Sequence, residues 1–164
     1  MPKELLTFLT IFAALGSGMI GGLLFAFSNF VMRALAQQAP ESGIRTMQAI
    51  NITIINPLFF LVFLGTALAS VILAITALPR LSSPGVLFLL IGCVLYIFGT
   101  FGVTMAFNVP LNNRLAILEP STTQAAESWR EYVTSWMQWN HVRTIASILE
   151  IGRASCRERV SPRV

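Results

Sequence analysis

The sequence predicts an all-α fold: a four-helix transmembrane bundle running up-down-up-down, with an interfacial helical segment before span four. Three observations carry this. First, the 164 residues are 55% hydrophobic and only 11% charged. Soluble domains carry roughly 25% charged residues, so there is too little charge here to cover a water-facing surface. Second, Leu5–Met32, Pro57–Leu78 and Gly85–Phe107 contain no charged residue, and each reaches the ~20 apolar residues that cross a bilayer core. Third, Val142–Leu149 begins another apolar stretch. The length fits one domain.

The end of the chain breaks the pattern. Ile151–Val160 reads Ile-Gly-Arg-Ala-Ser-Cys-Arg-Glu-Arg-Val. This is the peptide obtained by translating through a common sequencing adapter, whose first bases also complete the codon of residue 150. We therefore expect 1–149 to be a single integral-membrane four-helix domain and 150–164 a non-native tail that truncates the fourth helix. Arg153, Arg157, Arg159 and Arg163 are four of the eleven basic residues, and Glu150 and Glu158 two of the seven acidic ones, so the remainder carries a net charge of +2. The pI near 9.8 is then no argument for nucleic acid. Cys156 leaves with the tail. Cys93 alone excludes an internal disulfide and a Cys-based metal motif.

Span one follows Lys3 and Glu4. Its length, and the lack of a small-residue cleavage site, exclude a cleavable signal peptide. Gly18-x-x-x-Gly22 has the spacing that lets two helices approach closely. Packing within the chain is favoured, and an oligomer is left open. Arg33–Ile50 reads as a loop in which Pro40 ends any helix, with a short surface helix over Gly43–Ile54. Asn56-Pro57 opens span two, Asn being a favoured N-cap and Pro tolerated in the first turn. Pro79–Pro84 is a tight turn, so spans two and three are antiparallel neighbours.

Span three ends in Ala106–Asn113, Ala-Phe-Asn-Val-Pro-Leu-Asn-Asn, where Pro110 is expected to end the helix and turn Asn112 toward a polar mouth. Trp129, Tyr132, Trp136 and Trp139 then fall on one helical face. Such rings gather at membrane interfaces, so this helix is expected to lie along the interface and enter the membrane near Trp139.

In this topology every asparagine falls on one membrane face: Asn29, Asn51, Asn56, Asn108, Asn112, Asn113 and Asn140. His141 and Arg143 join them. Polar groups at membrane depth need partners, and ionisable residues there mark sites. Each has a plainer reading as well. Asn29, Asn51 and Asn113 suit caps or loops, Arg143 suits snorkelling to lipid phosphate, and His141 suits a structural hydrogen bond. The signal is the convergence of Asn56, Asn108, Asn112, Asn140, His141 and Arg143 from separate spans. The chain has no Asp, and no Glu falls within the expected spans. Paired-carboxylate chemistry is therefore absent. One His with one buried Cys makes no zinc or haem site, and the metal expectation is none.

Phe107-Asn108-Val109-Pro110-Leu111-Asn112, Trp136-x-x-Trp139-Asn140-x-x-Arg143 and Asn56-Pro57 together resemble the anthrone oxygenase family of small four-span membrane proteins. The resemblance covers nearly all of residues 1–149. It implies a four-helix membrane bundle and, from the family's fungal members, O₂-dependent oxidation of anthrones to anthraquinones without a cofactor. Many bacterial members have no assigned activity, and this chain is more similar to those.

On that resemblance the catalytic candidates are His141 as base, with Arg143, Asn108 and Asn112 stabilising an enolate. The substrate-binding candidates are Asn56, Asn140, Phe107 and Trp139, with Phe25, Phe27 and Phe101 adding apolar walls. The expected partners are membrane lipid, a small aromatic substrate and O₂, with no nucleic acid. The alternative is a non-catalytic small membrane protein that binds lipid or quinone, or a subunit of a membrane complex. The expected location is the cell inner membrane, multi-pass. Arg33, Arg45, Arg114 and Arg130 outnumber Lys3 and Arg80, which puts the mouth in the cytoplasm.

Overall fold

The computed structural model describes the backbone of residues 1–160 and the side chains of residues 1–150. Among the described residues all regular structure is helical. Five helices follow in order: α1 (Lys3–Ala36), α2 (Pro40–Thr53), α3 (Pro57–Arg80), α4 (Val86–Ala116) and α5 (Thr123–Val160). Of these, α1, α3 and α4 are long and apolar enough to cross a membrane.

α1 and α4 each pack against both α3 and α5, so four long helices enclose one interior. Neighbours run antiparallel. Ile20 and Leu24 of α1 cluster with Phe63 early in α3, while Ala13 clusters with Ala69 and Leu73 further along it. Likewise Asn108 of α4 bonds to the Trp136 carbonyl, and Thr100 bonds to Ser147. Small residues permit the close crossings. A methyl on Gly16 would overlap the Thr66 hydroxyl. Gly85, with φ 79°, closes the turn between α3 and α4, a left-handed backbone that glycine adopts without penalty.

The bundle is apolar outside and carries polar groups inside, among its apolar clusters. Phe8, Ile11, Leu15 and Met19 on α1, and Leu61, Leu64, Leu68, Val71 and Ile75 on α3, are exposed at helical spacing. The interior holds Ser17, Thr66, Ser70, Tyr96, Thr100, Asn108, Asn140, Arg143 and Ser147. That inversion suits a lipid solvent, where backbone and polar side chains must be satisfied within the protein.

Several sequence expectations are corrected here. Pro40 does not end a helix but begins α2 at its first turn, where its missing N–H is not needed. The loop expected over Arg33–Ile50 shrinks to residues 37–39, since α1 continues to Ala36 and α2 already begins at Pro40. Pro110 does not end α4, whose helix runs on to Ala116. A π segment over Thr104–Asn108 lies just before it, and such a widened turn accommodates the hydrogen bond that Pro cannot make. There is no separate interfacial helix before α5, which is continuous from Thr123. Trp129, Tyr132 and Trp136 do not face an interface. They are buried with Met32, Leu35, Ile44, Met47 and Leu115, closing one end of the bundle. Gly18 and Gly22 pack against nothing, and Gly16 makes the close approach instead.

Of the segment 150–164, Glu150 is described. It is buried inside the bundle, so one carboxyl does reach the interior. The helical backbone passes Leu149 without a break and continues to Val160. The rest of the expected non-native tail, the side chains from 151 onward and all of 161–164, lies outside the described residues.

Candidate functional site

The polar cluster sits where α1, α4 and α5 meet, and π-helical segments supply much of it. Phe27–Val31 in α1 carries Ser28. In α4, Leu95–Gly102 carries Tyr96 and Thr100, and Thr104–Asn108 carries Thr104 and Asn108. A π turn widens the helix by one residue and disturbs its hydrogen-bond ladder, which is why such turns recur at functional sites.

Asn140 is the hub. It is fully buried, and its Nδ2 donates to the Leu24 carbonyl at 2.9 Å and to Ser28 Oγ at 2.8 Å. Its Oδ1 accepts from Arg143 Nη2 at 2.6 Å. Ser28 Oγ also lies 3.1 Å from Thr144 Oγ1 and 3.0 Å from His141 Nδ1. Thr144 Oγ1 donates to the Asn140 carbonyl at 2.8 Å. His141 itself is exposed.

Arg143 is only 5% exposed. Its guanidinium meets neutral partners: Asn140 Oδ1, Thr104 Oγ1 at 3.2 Å, and the face of Trp136, 5.1 Å from the ring centroid. Its Nε is buried without a partner. Among the described residues the one ion pair is Arg45–Glu41, on the surface. Arg143 is therefore a buried cation with no carboxylate beside it, and burying such a charge costs several kcal/mol unless something compensates. Asn108 contributes the complementary group. Its Nδ2 donates to the Trp136 carbonyl at 3.2 Å, and its Oδ1 is buried and unpartnered. The site thus leaves one donor and one acceptor open.

The structure brings together Asn108, Asn140, His141 and Arg143, as the sequence suggested. Asn112 is near but differently employed. Its Oδ1 accepts from Tyr132 Oη and Trp136 Nε1, both at 2.9 Å, so it holds the ring beneath Arg143. Burial pushes the Tyr132 phenol well above its usual pKa range, which keeps it a donor to Asn112. Phe107 and Trp139 stack on each other, 3.6 Å between centroids and 9° apart. They form an aromatic pair on the outside of the bundle, with Phe107 exposed.

Asn56 is not part of the site. It is exposed, its Oδ1 caps Phe59 N at 3.0 Å, and its Nδ2 bonds to the carbonyls of Thr53 and Ile54. Asn29 and Asn113 are also exposed. Phe25 points outward, and Phe101 packs on Phe63, so no single slot is walled by the four phenylalanines.

Sequence reasoning missed Ser28, Thr104 and Thr144. Small hydroxyl residues are unremarkable inside helices, where they bond back to their own turn. A usable signal existed: Thr104 stands four residues before Asn108, and Thr144 four after Asn140, each on the same helical face. Among the described residues, no three His, Cys, Asp or Glu side chains come together in a metal-binding group.

Residues 58–150 match the sequence profile of a family described as anthrone oxygenase. No curated protein and no solved structure matches the chain.

Proposed function

The chain belongs to the anthrone oxygenase family, and from that premise we propose that it oxidises an acidic aromatic carbon acid of the anthrone class with O₂, using its own side chains. The single observation that carries this reading is Arg143. A buried guanidinium held by neutral groups, with Nε open, is suited to an anion that arrives neutral and ionises in place. An enol or phenol with a ring methylene is such a molecule. Preorganised donors aimed at developing oxyanion charge are among the largest contributors to catalysis.

In the proposed reaction His141 removes a proton from the substrate methylene. The resulting enolate oxygen pairs with Arg143. O₂ takes one electron from the enolate, and the two radicals couple at carbon. The proton returns to give a hydroperoxide. Loss of water, carrying off the second methylene hydrogen, leaves the ketone. One O₂ is consumed, and one carbonyl and one water form. Asn108 Oδ1, buried and open, is placed to accept from a substrate hydroxyl.

The proposed setting is the cell inner membrane, with α5 as a fourth span. Val142, Ile145 and Leu149 give its second half an exposed apolar stripe at helical spacing. The excess of arginine at the mouth end supports a cytoplasmic mouth; a reporter fused after Arg80 that reads as cytoplasmic overturns this.

The activity is tested by oxygen uptake with a model anthrone and the purified protein in detergent. The expected result is a rate above buffer that is lost in Arg143→Leu. No enhancement, or full activity in both Arg143→Leu and His141→Ala, removes the proposal.

A second reading, a non-catalytic lipid or quinone binder, draws on a groove of about 220 Å³ lined by Leu111, Arg114, Leu115, Leu118, Glu131 and Tyr132. It mixes apolar floor with both charges. Lipid or quinone retained through purification, together with no oxygen uptake, would favour it.

A further inference from the structure

The hydrogen bonds around Ser28 determine which nitrogen of His141 carries the proton. Three contacts compete for protons: Ser28 Oγ with Thr144 Oγ1 at 3.1 Å, Thr144 Oγ1 with the Asn140 carbonyl at 2.8 Å, and Ser28 Oγ with His141 Nδ1 at 3.0 Å. The fourth contact is already decided. Asn140 Nδ2 faces the Leu24 carbonyl, and Oδ1 faces the Arg143 guanidinium. A carbonyl only accepts and a guanidinium only donates, so the amide orientation is fixed and Nδ2 donates to Ser28 Oγ.

Two hydroxyls hold two protons. The Asn140 carbonyl only accepts, so the Thr144 proton goes there. Thr144 Oγ1 must then accept from Ser28, which uses the Ser28 proton. Ser28 Oγ keeps two lone pairs, one for Asn140 Nδ2–H and one still free. The contact with His141 is made only if the ring donates. If Nδ1 is bare, two protons face three contacts and one contact is left without its hydrogen bond, so the arrangement with the ring donating makes one bond more.

We infer that Ser28 and Thr144 hold His141 in the Nδ1–H tautomer, so that Nε2 carries the lone pair and is the only atom of the ring able to take a proton. Ser28 is thereby a positioning residue for the base, delivered by the π segment Phe27–Val31. The ring is otherwise exposed, and an unconstrained neutral histidine side chain favours the other tautomer. The choice is made by two hydroxyls buried behind it. The role of Nε2 as base rests on the reaction proposed above. The tautomer does not, and it is measured without turnover.

His141 is the only histidine in the chain, so ¹⁵N-histidine labelling gives a spectrum of this one ring. Long-range ¹H–¹⁵N correlation on the whole chain in detergent at alkaline pH distinguishes the two nitrogens. The expected result is a protonated Nδ1 and a bare Nε2 in the wild type. Thr144→Val removes the acceptor for the Ser28 proton, which then turns to Nδ1. The tautomer ratio should swing by about fivefold toward Nε2–H, the order expected from one hydrogen bond gained or lost.

Ser28→Ala should swing it the same way, and Thr144→Ser should leave it unchanged. Nε2–H dominant in the wild type overturns the inference, as does Nδ1–H persisting in both Thr144→Val and Ser28→Ala. Since the wild-type spectrum alone decides, a variant that fails to fold does not rescue the idea. If the tautomer is as inferred and oxygen uptake is absent, the proposed reaction fails and this assignment stands.

Discussion

Two parts of the bundle interior are equally buried and polar. At the mouth, Ser28, Thr104, Asn140, Arg143 and Thr144 bond to one another across three helices. Deeper in, Ser17, Thr66 and Ser70 are as buried, but their hydroxyls reach no partner in good hydrogen-bond geometry. Thr66 lies beside the Tyr96 phenol and Ser17 beside Glu150, yet Tyr96 Oη donates instead to the Phe63 carbonyl at 3.0 Å. The contrast separates two uses of polar residues. In the deep half Thr100 and Ser147 bond to each other, but Ser17, Thr66 and Ser70 are small volume first: Gly16 touches Thr66, and Gly99 touches Ala146, so narrow side chains let the helices close. In the mouth half the same residue types are bonded in a defined order around one cation.

The largest expected effect lies at the hub. Asn140→Leu strips a donor from Leu24 and Ser28 and the acceptor from Arg143, leaving the buried cation without its shortest bond. Removing one partner from a buried charge costs about 3–5 kcal/mol. Equilibrium unfolding in detergent should show that loss, and wild-type stability would mean the mouth is no more bonded than the deep half.

Next is Arg143→Leu, which removes the charge together with its desolvation cost. Here stability should change little while oxygen uptake with a model anthrone falls. Loss of a single oxyanion donor costs about 10²–10³ in rate. A variant with unaltered rate but lowered stability would reverse the roles assigned to Arg143 and Asn140.

How far the sequence revealed this contrast depends on residue type. The three charge-free spans were legible because a bilayer demands length and apolarity together, and α1, α3 and α4 meet both demands. Asn108, Asn140 and Arg143 were legible because such groups are costly at membrane depth and so stand out. The π segments were not, since a one-residue widening leaves no pattern in composition or periodicity. Ser28, Thr104 and Thr144 were hidden for the reason that makes Ser17 and Ser70 unremarkable: a hydroxyl in an apolar helix has the same spelling whether it organises a site or fills a gap. The aromatic face of α5 was visible by spacing, but spacing does not say what it faces. Met32, Ile44 and Met47 claimed it for the protein. Asn112 lies near the mouth, but its acceptor is taken by Tyr132 and Trp136, rings that the sequence directed elsewhere.

In the deep half, Gly16→Ala tests whether closeness is what matters. The new methyl overlaps the Thr66 hydroxyl, and overpacking costs about 1–3 kcal/mol. Gly16→Ala with Thr66→Ala should recover most of that, because the collision goes and Tyr96 keeps its bond to the Phe63 carbonyl. A double variant as unstable as the single would show that Thr66 does more than occupy space.

The smallest effect is the most discriminating. Ser70 is 1% exposed and its hydroxyl is unbonded. If it is only volume, Ser70→Ala removes a buried polar group that gained nothing, and such a group is unfavourable to bury. Even hydrogen-bonded pairs inside membrane proteins average only about 0.6 kcal/mol. The variant should therefore stay within about 1 kcal/mol of wild type in unfolding, with the sign favouring alanine. At the mouth the same chemical change, Ser28→Ala, deletes the acceptor of Asn140 and the partner of His141 and Thr144, and it should cost clearly more. One serine-to-alanine change in each half thus compares the two interiors without altering charge or adding bulk. A loss above about 2 kcal/mol at Ser70 would indicate that a bound water completes its hydrogen bonds, and the deep hydroxyls would then be a second organised network rather than packing.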